Sequence, residues 1–192
     1  MLKVGVLALQ GSVSEHIDML SRIEGVCPVE VKTSEQISEV DALILPGGES
    51  TTMGKLLVAF DLQSSLKKRI IDGMPVWGTC AGMILLASKL LPEAQTHLAV
   101  MDICVKRNAY GSQAGSFETT ALIPSISPQP IPLAFIRAPY IESVGEQVEI
   151  LCKIDNNIVA ARENNMLATS FHPEVTDDDS VHRYFVGMIG KS

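Results

Sequence analysis

The chain has 192 residues, of which 46% are hydrophobic, and its 15 basic and 22 acidic residues give a formal net charge of −7. This length is typical of one globular domain with a sizeable core, so we treat residues 1–192 as a single domain. An acidic chain with no basic run beyond Lys67-Lys68-Arg69 disfavours nucleic acid and anionic membranes as partners. No stretch reaches the ~18 apolar residues of a membrane span.

Four cysteines (Cys27, Cys80, Cys104 and Cys152) lie far apart in the sequence and form no CxxC pair. A chain of this size with no recognisable export signal does not need disulfides, so we expect reduced thiols and a cytoplasmic location. Without paired ligand spacings, a metal site is not expected.

The first half of the chain alternates between strand-like and helix-like segments. Apolar runs at 2–9, 26–31, 41–45 and 74–77 predict buried strands, and helical spacing predicts helices at 12–23, 50–60 and 62–71. Ser12, followed three residues later by Glu15, matches a capping box at the start of the first helix. This alternation is typical of an open, mostly parallel sheet covered by helices.

The second half, from about residue 98 to 170, contains short β-like runs separated by Pro, Gly and Asn. We expect mixed or antiparallel strands there, added to the first sheet. A last helix is predicted from Asp177 or Asp178 to Ile189, because three aspartates stand near its N-terminus.

The segment GTCAG, residues 78–82, places Cys80 between two glycines where a buried strand is predicted to turn into an apolar helix. This is the cysteine form of the nucleophile elbow. Residues without bulk allow the backbone to approach closely at a strained turn, and a helix N-terminus favours a thiolate. The pattern predicts a nucleophile, although a buried structural cysteine is the alternative.

A thiolate nucleophile needs a base and a group that orients the base. His172 in the segment SFHPE follows a predicted strand. If the chain stays extended through Pro173, then His172 and Glu174 point to the same side. We interpret them as base and orienting carboxylate, and we expect His16, His97 and His182 to be partly exposed polar residues.

The segment PGGEST, residues 46–51, lies between a strand and a helix. Glycines there expose backbone N–H groups that suit a developing oxyanion. We predict that the N–H groups of Gly48 and Ala81 form an oxyanion hole.

Taken together, these segments resemble the class I, or triad, glutamine amidotransferases, and among them the glutaminase subunits of pyridoxal 5′-phosphate synthase, the PdxT or Pdx2 type. The similarity covers nearly the whole chain. The motifs that carry it are LQG at 9–11 with EH at 15–16, PGGEST at 46–51, GTCAG at 78–82, RNAYG at 107–111, SFE at 116–118, FIRAP at 135–139 and FHPE at 171–174.

The resemblance implies a three-layer α/β/α, flavodoxin-like fold, and hydrolysis of L-glutamine to L-glutamate and ammonia without a cofactor. Cys80 would form a glutamyl thioester, His172 would transfer protons, and Glu174 would orient His172. The glutamine-binding positions carried over from the family are Gly48, Glu49, Ser50, Arg107, Ile136 and Arg137.

The resemblance also implies a partner. Ammonia would pass to a separate, barrel-shaped synthase subunit in a hetero-oligomeric complex, and glutaminase activity would be low until the two subunits dock. Gln10, Gly11 and Glu15 are the docking candidates. Because adjacent glycines flip a peptide easily, we expect the oxyanion loop to be unformed in the free protein.

Three alternatives stay open at this point. The first is a triad glutaminase that serves another synthase, such as the one that forms imidazole glycerol phosphate. The second is a stand-alone cysteine hydrolase, such as a peptidase. The third is a non-catalytic interaction subunit, which the joint presence of Cys80, His172 and Glu174 disfavours.

Overall fold

The computed structural model describes residues 1–107 and 115–190. The strands found in these residues are β1 (Leu2–Leu7), β2 (Val26–Val31), β3 (Ala42–Leu45), β4 (Val76–Thr79), β5 (Ala87–Leu91), β6 (Met101–Lys106), β7 (Ser116–Ala121), β8 (Ile131–Ile136), β9 (Tyr140–Val144), β10 (Glu149–Ile154), β11 (Asn157–Glu163) and β12 (Met166–Thr169). The helices found there are α1 (Val13–Ser21), α2 (Ser34–Glu39), α3 (Ser50–Ala59), α4 (Gln63–Ile71), α5 (Ala81–Leu86) and α6 (Ser180–Val186).

Ten of the strands in the described residues form one mixed sheet. Its order is β2-β1-β3-β4-β12-β11-β9-β6-β5, and β10 pairs with β11. Neighbours from β2 to β12 are parallel, whereas β11 is antiparallel to β9, β10 and β12. The predicted change from a parallel first half to antiparallel strands in the second half is therefore confirmed.

Helices cover both faces of this sheet because its central strands are apolar on both sides. In β3, Leu43 and Leu45 belong to one hydrophobic cluster and Ala42 and Ile44 to the other, which is the two-residue alternation of a strand. Helices α3 and α4 pack into the first cluster, and α1 and α6 pack into the second. The predicted three-layer α/β/α architecture is confirmed.

The structure corrects the sequence prediction in several places. Helix α2 and strands β5 and β9 were not predicted, and α6 is shorter than expected at both ends. Strands β7 and β8 were expected in the main sheet, but they form a separate antiparallel pair. Phe117 of this pair stacks on Phe135, with ring centroids 4.5 Å apart.

The topology brings distant segments of the chain to one edge of the sheet. Strands β1, β3, β4 and β12 are parallel neighbours, so their carboxyl ends lie side by side. The segments after these ends carry the predicted triad and the glycine loop, whereas Arg107 follows β6 and Ile136 ends β8. Open α/β sheets bind ligands at this edge.

Candidate active site

Cys80 lies at the turn between β4 and α5. Its backbone has φ 48° and ψ −100°, a conformation that a side chain rarely adopts and that stores strain. A Cβ on Gly78 would lie 2.4 Å from the carbonyl carbon of Gly82, and a Cβ on Gly82 would lie 2.0 Å from the carbonyl oxygen of Leu45. The flanking glycines are therefore needed because the backbone passes so close on both sides of the cysteine.

His172 follows β12, and it lines the same cavity as Cys80. Its Nδ1 lies 2.7 Å from Glu174 Oε1. The prediction that the chain stays extended through Pro173 is wrong, because Pro173–Val175 forms a 3₁₀ turn. Proline suits the first position of a helical turn, and this turn brings the two side chains together.

Charges in this group are set by burial and by these hydrogen bonds. Burial opposes the charge on His172, but its interactions with the neighbouring Cys80 and Glu174 side chains outweigh burial and raise its pKa to about 10. Burial also opposes the charge on Glu174, but nearby His16 and the hydrogen bonds from His172 and Ser12 lower its pKa to about 2. At neutral pH the pair is an imidazolium bonded to a carboxylate.

Ser12 is a site residue that the sequence analysis assigned differently. Its hydroxyl, predicted to cap α1 together with Glu15, instead donates to Glu174 Oε1 at 2.7 Å. The backbone N–H of Ser12 donates to the carbonyl of Gly47 at 3.1 Å. Ser12 therefore links the turn after β1 to both the Glu174 carboxylate and the glycine loop.

The glycine loop after β3 lies directly against the histidine. A Cβ on Gly47 would be 2.3 Å from His172 Cε1, so the ring and the loop can be this close only with glycine. The side chain of Gln10 accepts a hydrogen bond from the Glu49 N–H at 2.8 Å. Across the cleft, Ala81 is the first residue of α5, and its N–H is one that no earlier carbonyl of the helix can accept.

These residues line a cavity of about 510 Å³, a size that suits a small metabolite. Its lining includes Cys80, His172 and every predicted contact for glutamine and the oxyanion, together with two of the three docking candidates. The predicted residues among them are Gln10, Gly11, Gly48, Glu49, Ser50, Ala81, Arg107, Ile136 and Arg137. Glu15, the third docking candidate, is exposed on α1.

The predicted binding residues differ in what their side chains do. The Glu49 carboxylate caps α3, accepting from the N–H groups of Thr51 and Thr52 and from the Thr52 hydroxyl, which lowers its pKa to about 2. Arg107 donates to the Thr51 hydroxyl at 3.2 Å. Arg137 is exposed and has φ 46°. Residues 108–111 of the RNAYG motif lie outside the described residues.

The prediction for two other histidines is wrong, because His16 and His182 are fully buried. His16 Nδ1 lies 2.9 Å from His182 Nε2, and His16 Nε2 lies 3.6 Å from Glu174 Oε2. The sequence did contain a sign of this burial, because both histidines stand at helical spacing from an apolar residue. His16 is four residues before buried Leu20, and His182 is three residues before buried Phe185. His97 is half-buried, and its ring lies against Gly54.

The buried histidines predict that the fold loses stability in acid. Burial, followed by nearby His16, lowers the pKa of His182 from 6.5 to about 3. Below pH 6.5 the unfolded chain therefore binds a proton at His182 that the folded chain does not, so the free energy of unfolding falls by about 1.4 kcal/mol per pH unit. In urea unfolding between pH 7 and 4, His182→Phe should show a flatter pH dependence than the wild type by about this slope. Parallel curves would contradict the assignment.

Residues 1–107 and 115–190 contain no group of three or more His, Cys, Asp or Glu placed to hold a metal ion. Among the helices in these ranges, none has the length and apolar character needed to cross a membrane. The four cysteines are free thiols.

The fold and the site define a class of α/β enzymes in which a strained cysteine, a histidine and a carboxylate meet at the carboxyl edge of the sheet. Comparison with known proteins identifies the family within that class. The SNO glutamine amidotransferase family matches residues 6–191, and the chain belongs to this family. The resemblance inferred from the sequence is confirmed.

Individual relatives are similar over their whole length. The chain is 56% identical to the pyridoxal 5′-phosphate synthase subunit PdxT of Ruminiclostridium cellulolyticum, over 98% of this chain and 100% of that protein. It is 54% identical to the subunit of the same name from Clostridium botulinum, over the full length of both. A crystal structure of a glutamine amidotransferase, 41% identical, superposes with a TM-score of 0.91 over 97% of this chain and 98% of that one.

Proposed function

We propose that the chain is the glutaminase subunit of a pyridoxal 5′-phosphate synthase. It hydrolyses L-glutamine at the Cys80–His172–Glu174 triad and delivers the ammonia to a synthase subunit. The observation that carries the proposal is the 2.7 Å His172–Glu174 contact beside a strained Cys80, in a chain more than half identical to two proteins named as subunits of that synthase.

The geometry supports acyl transfer in two halves. A protonated His172 favours the thiolate of Cys80, and this sulfur attacks the side-chain carbonyl carbon of glutamine. His172 then gives its proton to the amide nitrogen, ammonia leaves, and a glutamyl thioester remains. Next, water loses a proton to His172 and attacks the thioester, which releases glutamate and restores the thiolate with its imidazolium.

The negative oxygen formed in each half needs donors that are in place beforehand. We assign the N–H groups of Gly48 and Ala81, which line the cavity beside Cys80. That the loop is unformed before the partner docks stays a prediction. The Ser12 N–H donates to the Gly47 carbonyl, and the Glu49 N–H donates to the Gln10 side chain. These two hydrogen bonds connect the loop to the turn after β1, where the docking candidates Gln10 and Gly11 lie.

The substrate is an amino acid whose α-carboxylate needs a cation at the mouth of the cavity. Arg107 and Arg137 both line it, and a guanidinium can bind a carboxylate through two hydrogen bonds. Because the Glu49 carboxylate caps α3, we assign the contact of Glu49 with glutamine to its backbone and not to its side chain. The single-domain organisation and the cytoplasmic location stay predictions, consistent with four free thiols.

A glutamine analogue that carries an electrophilic carbon in place of the side-chain amide tests the assignment of the nucleophile. We expect the analogue to alkylate Cys80 with one equivalent per chain, because Cys80 lines the cavity proposed to bind glutamine. Peptide mass spectrometry locates the adduct, and L-glutamine in excess should protect against it. Labelling at Cys27, Cys104 or Cys152, or labelling that glutamine does not slow, would contradict the proposal.

A further inference from the structure

Two buried histidines lie behind the triad and take no part in the reaction described above. His16 on α1 and His182 on α6 are both 0% exposed. Their rings are in contact with each other and with Trp77, with centroids 4.9–5.5 Å apart. A leucine or phenylalanine would fill such an apolar space without the cost of burying polar nitrogens. The polarity of the two residues therefore calls for an explanation beyond packing.

The two oxygens of Glu174 have unequal hydrogen bonding. Oε1 accepts from the Ser12 hydroxyl and from His172 Nδ1, each at 2.7 Å. Oε2 is buried, and the described residues give it no partner at hydrogen-bond distance. The nitrogen of His16 that faces it, Nε2, lies 3.6 Å away. A carboxylate oxygen in this position favours an N–H over a lone pair on that nitrogen.

The remaining contacts fix the positions of the protons in the pair. If His16 carries its proton on Nε2, its Nδ1 is an acceptor, and His182 Nε2–H donates to it across 2.9 Å. His182 Nδ1, which is buried without a partner in the described residues, is then a bare lone pair. The opposite arrangement would bury an unpaired N–H at that atom and turn a lone pair of His16 toward Glu174. In the first arrangement each ring N–H of the pair faces an acceptor, since His16 Nε2 also has the Thr79 hydroxyl oxygen 3.3 Å away.

Burial keeps both rings neutral, because it lowers the pKa of each histidine and outweighs the attraction of Glu174. His16 therefore acts on the carboxylate through an oriented N–H dipole. His16 Nε2 also lies 3.3 Å from the Thr79 hydroxyl, in the residue before Cys80.

We propose that His16, held in one tautomer by His182, is a positioning residue that directs its Nε2–H at the second oxygen of Glu174 and so fixes the carboxylate against His172. This extends the triad to five residues and rests on the proposed function of the triad. His172 loses its positive charge when ammonia leaves and regains it when water attacks the thioester. A fixed carboxylate favours the return of that charge, so the effect falls on kcat more than on KM.

The main test compares His16→Leu with His16→Gln, assayed for ammonia release with the synthase subunit present in excess. Leucine removes the donor, and kcat should fall about tenfold with KM nearly unchanged. The amide nitrogen of glutamine reaches about the position of Nε2, so His16→Gln should stay within about threefold of wild type. Equal losses in the two variants would overturn the proposal, as would wild-type kcat in folded His16→Leu.

Leu20→Ala serves as the matched structural control, because Leu20 is also buried on α1 but belongs to the apolar cluster. It should lower the melting temperature while kcat of the folded protein stays within about twofold of wild type. A loss of kcat in Leu20→Ala as large as in His16→Leu would assign both effects to the packing of α1.

His182→Phe tests the second histidine and keeps an aromatic ring against Trp77. In this variant no N–H from residue 182 holds His16 in one tautomer, so kcat should fall about threefold. The double variant with His16→Leu should lose no more activity than His16→Leu alone. If the loss of kcat in the double variant equals the product of the two single losses, the histidines act independently and the proposal is overturned. If His16→Leu does not fold, unchanged kcat in His182→Phe overturns the proposal by itself.

A readout without turnover separates this proposal from the proposed function. In the free protein labelled with ¹⁵N-histidine, the His172 Nδ1 proton bonded to Glu174 should give a low-field NMR resonance. His16→Leu should move or broaden this resonance, and Leu20→Ala should leave it in place. An unchanged resonance in His16→Leu overturns the proposal even where glutamine hydrolysis fails, and absence of ammonia release in wild type counts only against the proposed function.

Discussion

Replacing Cys80 by alanine is expected to lower ammonia release from L-glutamine by at least about 10⁴-fold, because the thioester route then has no nucleophile. The fold should survive, since alanine has the same Cβ as cysteine at φ 48° and adds no strain. The measurement is glutamate and ammonia formation with the synthase subunit present, and glutamine should still bind.

Cys104→Ala is the matched control for this variant. Cys104 lies in β6 and is 8% exposed, the same fraction as Cys80, but it does not line the cavity. Its replacement should leave the rate within about twofold of wild type. Residual activity of Cys80→Ala above a few per cent would show that another group attacks glutamine, and the assigned triad would then be wrong.

Replacing Gly82 by alanine should strongly lower the stability of the fold. The added Cβ would lie 2.0 Å from the Leu45 carbonyl oxygen, so α5 must move away from β3 and the elbow must open. We expect a loss of about 3 kcal/mol or more in the free energy of unfolding, together with loss of activity in any folded fraction. Urea unfolding and the soluble yield measure this effect.

Gly187→Ala supplies the comparison, because Gly187 has right-handed helical angles and a Cβ there would meet its nearest carbonyl oxygens at 3.3 Å. That variant should stay within about 1 kcal/mol of wild type. A stable, active Gly82→Ala would mean that the elbow does not need the close contact between α5 and β3.

Much of the fold could be predicted because the central strands carry strong local patterns. The apolar run of β3, buried on both faces, and the turn residues that follow it are visible in the sequence. Helix α2 was missed because only Ile37 among its six residues is buried, although Thr33 and Gln36 do form a capping box. The separation of β7 and β8 from the main sheet depends on pairing between distant segments, which strand patterns do not specify.

In the site, too, features with a local sequence motif could be predicted, whereas contacts between distant segments could not. Cys80, His172 and the glycine loop each follow a strand and stand in short motifs, so their convergence follows from the fold class. Ser12 was assigned to a helix cap because its nearest neighbours in sequence match one, yet its partner Glu174 is 162 residues away. The Ser12 hydroxyl can bond either to the N-terminus of α1 or to the Glu174 carboxylate, and the sequence alone does not show which bond forms.

We propose that this chain releases ammonia from glutamine and supplies it to a synthase subunit. The most direct test is the steady-state rate of ammonia release from L-glutamine, measured with increasing amounts of the pyridoxal 5′-phosphate synthase partner. We expect a low rate for the chain alone and a saturable rise with the partner, and we expect this rise to be absent in Cys80→Ala. A rate that stays at background at every partner concentration would contradict the proposed function.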